Sequence, residues 1–272
     1  MSDAFRDFVL AGWDDDAVAI SYHRNFSEVT SGCIPALIEA AAITRGHKVL
    51  DVACGAGYVA AAARDRGAEA IGVDFSQAQV RLARQTYLDV RFVEGDAEDL
   101  PFGDGEFDAV LNAFGMLHVP NPDRASAEAY RVLKAAGRFA YASWHDATKC
   151  VLFSMVYDAI REHGSLDVGL PAGPNFFSCG AVDYAVEMLG RARFTNISAS
   201  EIPLVWRVSS PDIILDAISS GSVRTAAVLK RQSPEDLEAV RASLRERISS
   251  YEQDGSYAVP ATACVITGRK PQ

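Results

Sequence analysis

The chain has 272 residues, of which 49% are hydrophobic and 23% charged, an ordinary composition for a globular protein with a sizeable core. Its net charge of −10 argues against a nucleic-acid partner, because affinity for a polyanion comes largely from Lys and Arg on phosphates. No apolar run reaches the roughly 18 residues of a membrane-spanning helix, and the acidic N-terminal segment does not resemble a secretory signal.

Up to Trp144 the apolar pattern predicts strands that alternate with helices. Apolar residues at helical spacing predict a helix over 31–43. The predicted strands are 47–53, 68–74, 90–96, 107–114 and 138–144, and the helices between them are 57–67, 76–87 and 123–137. This alternation predicts an α/β fold in which a mostly parallel sheet has helices on both faces.

Beyond Trp144 the elements are less regular. Ser233, Pro234 and Asp236 form a helix-start signal before an amphipathic helix. Helices are predicted at 149–163, 181–192 and over most of 210–251, with strands at 194–206 and 256–269.

A glycine-rich turn follows the first predicted strand. Gly55-Ala56-Gly57-Tyr58-Val59-Ala60 matches the dinucleotide pattern G-x-G-x-x-G/A, and Asp74 ends the next strand 74 − 55 = 19 residues later. Asp51 does not suit that reading, because a carboxylate beside the turn repels a pyrophosphate and attracts a cation. A second acidic cluster lies at 94–99. S-adenosylmethionine has an amino group, a sulfonium, a ribose and an adenine but no phosphate, so it suits these residues better.

The sequence resembles the class I S-adenosylmethionine-dependent methyltransferases, most closely the small-molecule branch with the ubiquinone- and menaquinone-type enzymes. The stretches that carry the resemblance are VLDVACGAG, IGVDFS, GDAEDLPF, FDAVLNAFGMLHVPNP and YRVLKAAGRF, in order across 46–144. The resemblance implies a Rossmann-like sheet of seven strands with an antiparallel last strand. The sequence departs from the family pattern at two places. Ala53 stands where the family usually has glycine, and KAAGRF stands where the family usually has KPGGRF.

The resemblance also implies the cofactor contacts. The methionine end lies at Asp51, Ala53 and Gly55. Asp74 accepts from both ribose hydroxyls, and Phe75 packs on the adenine. Asp96 accepts from the adenine amine while the Ala97 N–H donates to the ring. The full predicted cofactor set is Asp51, Ala53, Gly55, Gly57, Asp74, Phe75, Asp96, Ala97, Asn112 and Ala113.

Three side chains are candidates for catalysis: His118 after the fourth strand, His145 after the fifth, and Tyr22 in the N-terminal segment. The alternative is that His118 is a structural loop residue. A catalytic side chain is not essential, because methyl transfer from a sulfonium needs no strong acid or base. The five histidines show no metal-binding spacing, so no metal site is predicted.

The expected organisation is an N-terminal helical segment over the cofactor (1–45), a core (46–206), a helical insertion that covers the acceptor (207–252) and a final core strand (253–272). A homodimer interface is the alternative role for the insertion. The aromatic residues expected near the acceptor are Trp13, Tyr22, Phe26, Phe153, Tyr157, Phe176, Phe177 and Trp206.

The sequence thus predicts a cytoplasmic enzyme that moves the methyl group of S-adenosylmethionine to an O, N or C atom of a small, fairly apolar metabolite and leaves S-adenosylhomocysteine. Five scattered cysteines without a CxxC pair agree with a reducing compartment. The alternatives are a nicotinamide-dependent oxidoreductase and a protein of the same fold that binds the cofactor without methyl transfer.

Overall fold

The computed structural model describes residues 3–272 as ten strands, eleven α-helices and two short 3₁₀ helices. The strands are β1 (Lys48–Val52), β2 (Glu69–Asp74), β3 (Arg91–Glu94), β4 (Phe107–Ala113), β5 (Leu133–Trp144), β6 (Thr195–Ile202), β7 (Val205–Val208), β8 (Glu252–Gln253), β9 (Ser256–Pro260) and β10 (Ala263–Arg269). The α-helices are α1 (Asp3–Trp13), α2 (Asp16–Ser31), α3 (Ile34–Ala40), α4 (Tyr58–Asp65), α5 (Gln77–Thr86), α6 (Pro122–Val132), α7 (Val151–His163), α8 (Val182–Arg191), α9 (Asp212–Gly221), α10 (Arg224–Leu229) and α11 (Pro234–Ser249).

Seven strands form one sheet in the order β3-β2-β1-β4-β5-β10-β6. The last strand, β10, runs antiparallel to both of its neighbours, β5 and β6, and the remaining pairs are parallel. The predicted Rossmann-like sheet with an antiparallel last strand is therefore confirmed. From β1 the chain continues to β2 and β3 on one side of β1, and then crosses to β4 on the other side. A crevice forms at the carboxyl ends of β1 and β4, where the strand order reverses.

Both faces of the central strands β1, β4 and β10 are buried, which explains why these strands read as nearly continuous apolar runs. In β1 the neighbouring side chains Val49 and Leu50 pack into different clusters on opposite faces, and both are fully buried. One face carries α6 and α8, and the other carries α3, α4 and α7. No helix within residues 3–272 is long and apolar enough to cross a bilayer.

The predicted helix 123–137 ends earlier than expected, at Val132. Leu133 is fully buried and pairs with Phe107 in the sheet, while Lys134 bonds the Asp108 carboxylate at 2.8 and 2.9 Å. These contacts hold the chain extended, and a left-handed Ala136 with φ of 64° then completes an irregular start to β5.

Two segments predicted as single strands each supply two strands to different sheets. Residues 195–202 and 263–269 pair as β6 and β10 in the main sheet, whereas 205–208 and 256–260 pair as β7 and β9 in a small second sheet. The change of sheet follows Pro203, which has no N–H to continue the first ladder. Pro260 ends β9, where the prediction placed it near the start of one long strand.

The helices α9, α10 and α11 lie between β7 and β8 along the chain. As predicted, Ser233 begins α11 and accepts from the Asp236 N–H at 3.0 Å. The apolar faces of α9 and α11 pack on α2 and α7 and join the largest hydrophobic cluster. The inserted helices are consequently part of a shared core with the N-terminal helices.

Candidate active site

A cleft lies at the carboxyl ends of β1, β2 and β4, against the side chains of α1 and α2. All members of the predicted cofactor set except Gly57 and Asn112 line it: Asp51, Ala53, Gly55, Asp74, Phe75, Asp96, Ala97 and Ala113. Tyr22 and His118 also line the cleft, whereas His145 does not.

Asp51 is the second-to-last residue of β1 and is almost completely buried, at 1% exposure. Its Oδ2 accepts from the Ala60 N–H at 3.0 Å, while its buried Oδ1 has no hydrogen-bond partner. Burial, with a smaller contribution from the charge of Asp74, raises the pKa of Asp51 to about 8. A buried carboxylate oxygen without a partner at the wall of a cleft is suited to a cationic ligand group.

Asp74 is the last residue of the neighbouring strand β2 and is 5% exposed. One oxygen accepts from the Gly55 N–H and the other from the Ser76 N–H, each at 2.9 Å. Burial outweighs these bonds and raises the pKa of Asp74 to about 6. Each carboxylate oxygen has a second lone pair that remains available to a ligand donor.

The turn between β1 and α4 has a left-handed backbone at Ala53, Gly55 and Gly57, with φ of 52°, 50° and 88°. Gly57 lies away from the cleft. A Cβ at that position would stand 2.6 Å from Cζ of Phe92, so Gly57 allows α4 to start against the sheet. Ala53 has a Cβ, so its left-handed φ adds backbone strain that a glycine at this position would avoid.

Ala53→Gly should therefore raise the free energy of unfolding by about 0.5–1 kcal/mol, because relief of the left-handed strain exceeds the entropy that glycine adds to the unfolded chain. Urea denaturation measures the change. Ala56→Gly in the same turn is the control, since Ala56 has no positive φ and its replacement should destabilise by about 0.5–1 kcal/mol. A loss of stability in both variants would show that Ala53 is not strained.

The cleft continues along Phe75, Asp96 and Ala97, where the adenine was predicted. The Asp96 carboxylate is already engaged: its Oδ1 accepts from the Glu98 N–H at 2.9 Å, and its Oδ2 pairs with the guanidinium of Arg6 on α1. Arg6 therefore competes for the oxygen that was predicted to accept from the adenine amine.

Asn112 is fully buried behind the cleft, and its side chain has three bonds. Its amide donates to the Val52 carbonyl at 2.8 Å, and its Oδ1 accepts from the Gly115 and Met116 N–H groups at 3.0 Å. Asn112 thus ties the end of β4 to the end of β1 and positions the backbone of Ala113 at the cleft.

The junction between α1 and α2 is fixed to the start of α5. Ser76 donates to the Trp13 carbonyl at 2.8 Å, and Asp14 accepts from the Ala78 N–H at 3.0 Å. This contact places Trp13, Tyr22 and Thr30 at the cleft.

Gln79 and Phe114 are among the cleft-lining residues that sequence reasoning missed. Gln79 is 4% exposed and could have been found, because it lies four residues before the buried Ala83 and so shares its helical face. Phe114 carries no such signal, since a φ of 57° turns its backbone away from the regular strand.

A second, much smaller cavity adjoins the cleft. Its walls are mainly aromatic, and the insertion contributes polar side chains to it. The lining residues are Trp13, Tyr22, Phe26, Phe114, His118, Trp144, Phe153, Phe176, Ser222, Arg224 and Thr225. The predicted aromatic residue Trp206 lies behind this wall and packs on Phe26, with 5.0 Å between ring centroids.

His118 lies where the two cavities meet, edge-on to Trp13 at 5.1 Å between centroids. Burial and the nearby charge of Arg224 lower the pKa of His118 to about 3, so the ring is neutral at neutral pH. Its Nδ1 is buried without a partner. Burial also raises the pKa of Tyr22, which keeps that phenol protonated.

His145 lies outside both cavities. Its Nδ1 accepts from the Asp146 N–H at 2.8 Å, and its Nε2 is 3.6 Å from a Glu201 carboxylate oxygen. The structure therefore brings His118 and Tyr22 together and leaves His145 apart.

Comparison with known proteins agrees with this geometry. A family described as a methyltransferase domain matches residues 50–141. The chain is 35% identical over 201 residues to a demethylmenaquinone methyltransferase of Paenarthrobacter aurescens, with 69% of this chain and 79% of the relative covered. It is 32% identical over 230 residues to an uncharacterized protein of Mycobacterium tuberculosis, with 81% of each covered. A demethylmenaquinone methyltransferase of Renibacterium salmoninarum is 36% identical, but the match spans 41% of this chain and 47% of the relative, about half its length.

Solved structures share the fold. Phosphoethanolamine N-methyltransferase 2 of Haemonchus contortus, in complex with S-adenosyl-L-methionine, superposes with a TM-score of 0.60 at 19% identity, over 100% of this chain and 61% of that one. The YcgJ protein of Bacillus subtilis superposes with a TM-score of 0.57 at 21% identity, over 88% and 98% of the two chains.

The chain belongs to the class I S-adenosylmethionine-dependent methyltransferases, in the small-molecule branch that contains the menaquinone-type enzymes. It is a methyltransferase with S-adenosylmethionine as cofactor and a small molecule as acceptor. The residues at the cleft fit that cofactor, because the unpartnered Oδ1 of Asp51 suits an ammonium and the carboxylate of Asp74 retains lone pairs for hydroxyl donors.

Proposed function

We propose that this enzyme methylates an oxygen, nitrogen or carbon atom of a flat and largely apolar metabolite that lies in the aromatic cavity. S-adenosylmethionine, when bound, supplies an electrophilic methyl group on its sulfonium. The observation that carries the proposal is that the aromatic cavity adjoins the cofactor cleft and shares Trp13, Tyr22, Phe114 and His118 with it. Relatives named as demethylmenaquinone methyltransferases give it further support.

For the cofactor, we assign the ammonium to Oδ1 of Asp51 and the ribose hydroxyls to Asp74. The backbone of Ala53, Gly55 and Ala113 lines the methionine portion. Phe75 packs on the adenine, with Asp96 and the Ala97 N–H as its polar contacts. Gly57 and Asn112 act through the packing and bonds that shape this backbone.

For the acceptor, the main contribution of the chain is proximity. Aromatic walls orient a flat molecule and exclude water, so that the nucleophilic atom meets the methyl group in line. His118 is neutral and has an unpartnered Nδ1, so it can accept a hydrogen bond from an acceptor hydroxyl. We do not include His145, because it lies outside both cavities.

The helical segments close the site in this proposal. Of the predicted segment 1–45, residues 1 and 2 lie outside the described residues, and 3–45 cover the cofactor through Trp13, Tyr22 and Thr30. Residues 207–252 cover the acceptor through Ser222, Arg224 and Thr225. Removal of the insertion is not a suitable test, because α9 and α11 share a hydrophobic core with α2 and α7. Point substitutions in the cavity test the role instead.

The activity is tested with S-adenosylmethionine that carries an isotope-labelled methyl group, incubated with the protein and an extract of small apolar metabolites. We expect a labelled product that partitions into organic solvent, and no such product with an Asp74→Ala variant. Binding of S-adenosylhomocysteine without any labelled product would favour a protein of the same fold that performs no methyl transfer.

Phe176→Ala should weaken acceptor binding by about ten- to a hundredfold, because the ring walls the cavity and its burial against an apolar ligand is worth about 1.5–3 kcal/mol. The KM for the acceptor found in the extract assay measures the effect, and affinity for S-adenosylhomocysteine should not change.

Phe177→Ala is the matched control. Phe177 contacts the Phe176 ring at 5.1 Å between centroids but lies outside the cavity. Equal losses of acceptor affinity in the two variants would count against the cavity as the acceptor site.

We also propose a cytoplasmic location, supported by five free and buried cysteines. The net charge of −10 supports a small-molecule acceptor and no nucleic-acid partner. A homodimer through the outer surface of the insertion is the further proposal, and light scattering on the purified protein tests it.

A further inference from the structure

Arg224 is a charged residue placed among aromatic walls. It begins α10 and lines the second cavity, with its Cζ 5.2 Å from the centre of the buried Phe5 ring. Its Nη1 is buried and has no hydrogen-bond partner. No ion pair connects Arg224 to a carboxylate of the described residues, whereas the arginines of the neighbouring α11 pair with acidic side chains.

Arg224 as a whole is partly buried, but its buried Nη1 loses hydration without gaining a partner, which is unfavourable for a charged group. An uncharged side chain of similar length would fill the same space, so packing alone does not explain why an arginine is present. The described residues that line the cavity include no Asp or Glu, so an anion that enters meets no opposing carboxylate. Asp51 and Asp74 lie in the other cavity, at the cofactor side.

The surroundings of Arg224 are suited to a small polar group at the end of an apolar molecule. Thr225 and Ser222 line the same cavity, and the Thr225 hydroxyl lies 3.1 Å from that of Tyr157. A guanidinium has a planar fork of N–H donors that matches the two oxygens of a carboxylate.

We propose that the methyl acceptor carries a carboxylate beside its flat apolar body, and that Arg224 binds this carboxylate and thereby orients the acceptor. This rests on the proposed function, since it takes the aromatic cavity as the acceptor site. The two halves of the site then differ in charge: carboxylates hold the cationic end of the cofactor, and a guanidinium holds the anionic end of the acceptor.

The test uses 2-naphthoate and its uncharged counterpart 2-naphthamide as probes. Their binding is measured by calorimetry with the full-length protein saturated with S-adenosylhomocysteine. We expect 2-naphthoate to bind about ten- to a hundredfold more tightly, because a hydrogen-bonded charge contributes about 1.5–3 kcal/mol. Arg224→Met should abolish this preference, and Arg224→Lys should retain part of it. Equal affinities in the native protein, a preference that survives Arg224→Met, or no binding of either probe would overturn the proposal.

Arg231→Met is the matched control, because Arg231 is exposed just after the same helix and its side chain donates to the Ala227 carbonyl. It should leave both affinities unchanged. A second measurement is the melting temperature of Arg224→Met without probe, which should rise by a few degrees since a partly buried, unpaired charge is removed. A fall of several degrees would show that Arg224 is structural. Failure of the native protein to bind S-adenosylhomocysteine would instead count against the proposed function.

Discussion

Replacement of Asp74 by alanine is expected to weaken binding of S-adenosylhomocysteine by about 100- to 10 000-fold. Two charge-assisted hydrogen bonds to ribose hydroxyls contribute about 1.5–3 kcal/mol each, and every 1.4 kcal/mol is a tenfold change. The buried position of Asp74 and its bonds to the Gly55 and Ser76 N–H groups hold the carboxylate in one orientation. Calorimetric titration measures the affinity.

The control is Asp99→Ala in the acidic loop after β3. Asp99 is exposed and does not line the cleft, so its loss should change the affinity by less than about twofold. Because Asp74→Ala leaves two backbone N–H groups without acceptors, circular dichroism and thermal melting must show that the variant is folded at the assay temperature. Equal losses of affinity in two folded variants would contradict the assignment of Asp74.

The affinity for S-adenosylhomocysteine is also expected to increase with pH, by up to roughly tenfold per unit between pH 6 and 8. The pKa of Asp51 is raised to about 8, so this carboxyl is mostly protonated in the free protein at neutral pH. An ammonium at Oδ1 requires the ionised form, and each pH unit below the pKa costs about 1.4 kcal/mol. Calorimetry in buffers of different ionisation enthalpy should detect release of a proton on binding.

The stability of the ligand-free protein should depend on pH in the opposite direction. A carboxyl whose pKa is raised on folding binds more protons in the folded state than in the unfolded state. Its contribution to stability is therefore fully present below the unfolded pKa near 4 and is lost as the pH rises toward 8. Urea denaturation across this range measures the loss.

Asp51→Asn separates these effects from other titrations. The amide oxygen can still accept from Ala60, so the variant should lose the pH dependence of both affinity and stability that Asp51 causes. Asp108→Asn is the control, since Asp108 lies in β4 outside the cleft and bonds Lys48 and Lys134. If the affinity of the Asp51→Asn variant depends on pH as steeply as that of the native protein, Asp51 is excluded as the group that binds the ammonium.

The cofactor half of the site could be predicted from the sequence because it depends on local structure. Asp51, Gly55 and Asp74 follow strands whose order along the chain determines where their carboxyl ends meet. The parallel sheet and its antiparallel last strand followed from the alternation of elements and from the family resemblance. The end of α6 was misplaced because the tertiary contacts of Leu133 and Lys134 override the helical pattern there.

The acceptor half could not be predicted to the same degree, because it is formed by residues that are far apart in sequence. Phe114 and Trp144 read as ordinary strand ends, and nothing local marks Arg224 as a residue of the cavity wall. Trp206, the aromatic residue closest to the insertion in sequence, packs behind the cavity on Phe26. The two long strands gave no signal that each divides between two sheets, apart from Pro203.

The division of each long strand between the main sheet and the small second sheet has a consequence for how the acceptor site can be inherited. The insertion is joined to the main sheet by a continuous two-stranded ribbon, bonded at the crossing by the Ala261 N–H and the Leu204 carbonyl at 2.8 Å. Recombination at this crossing would transfer residues 205–260 as one cassette without a change of register in the catalytic core. The cassette still packs on α2 and α7, so a new acceptor specificity acquired in this way would succeed only if those two helices came from the same parent.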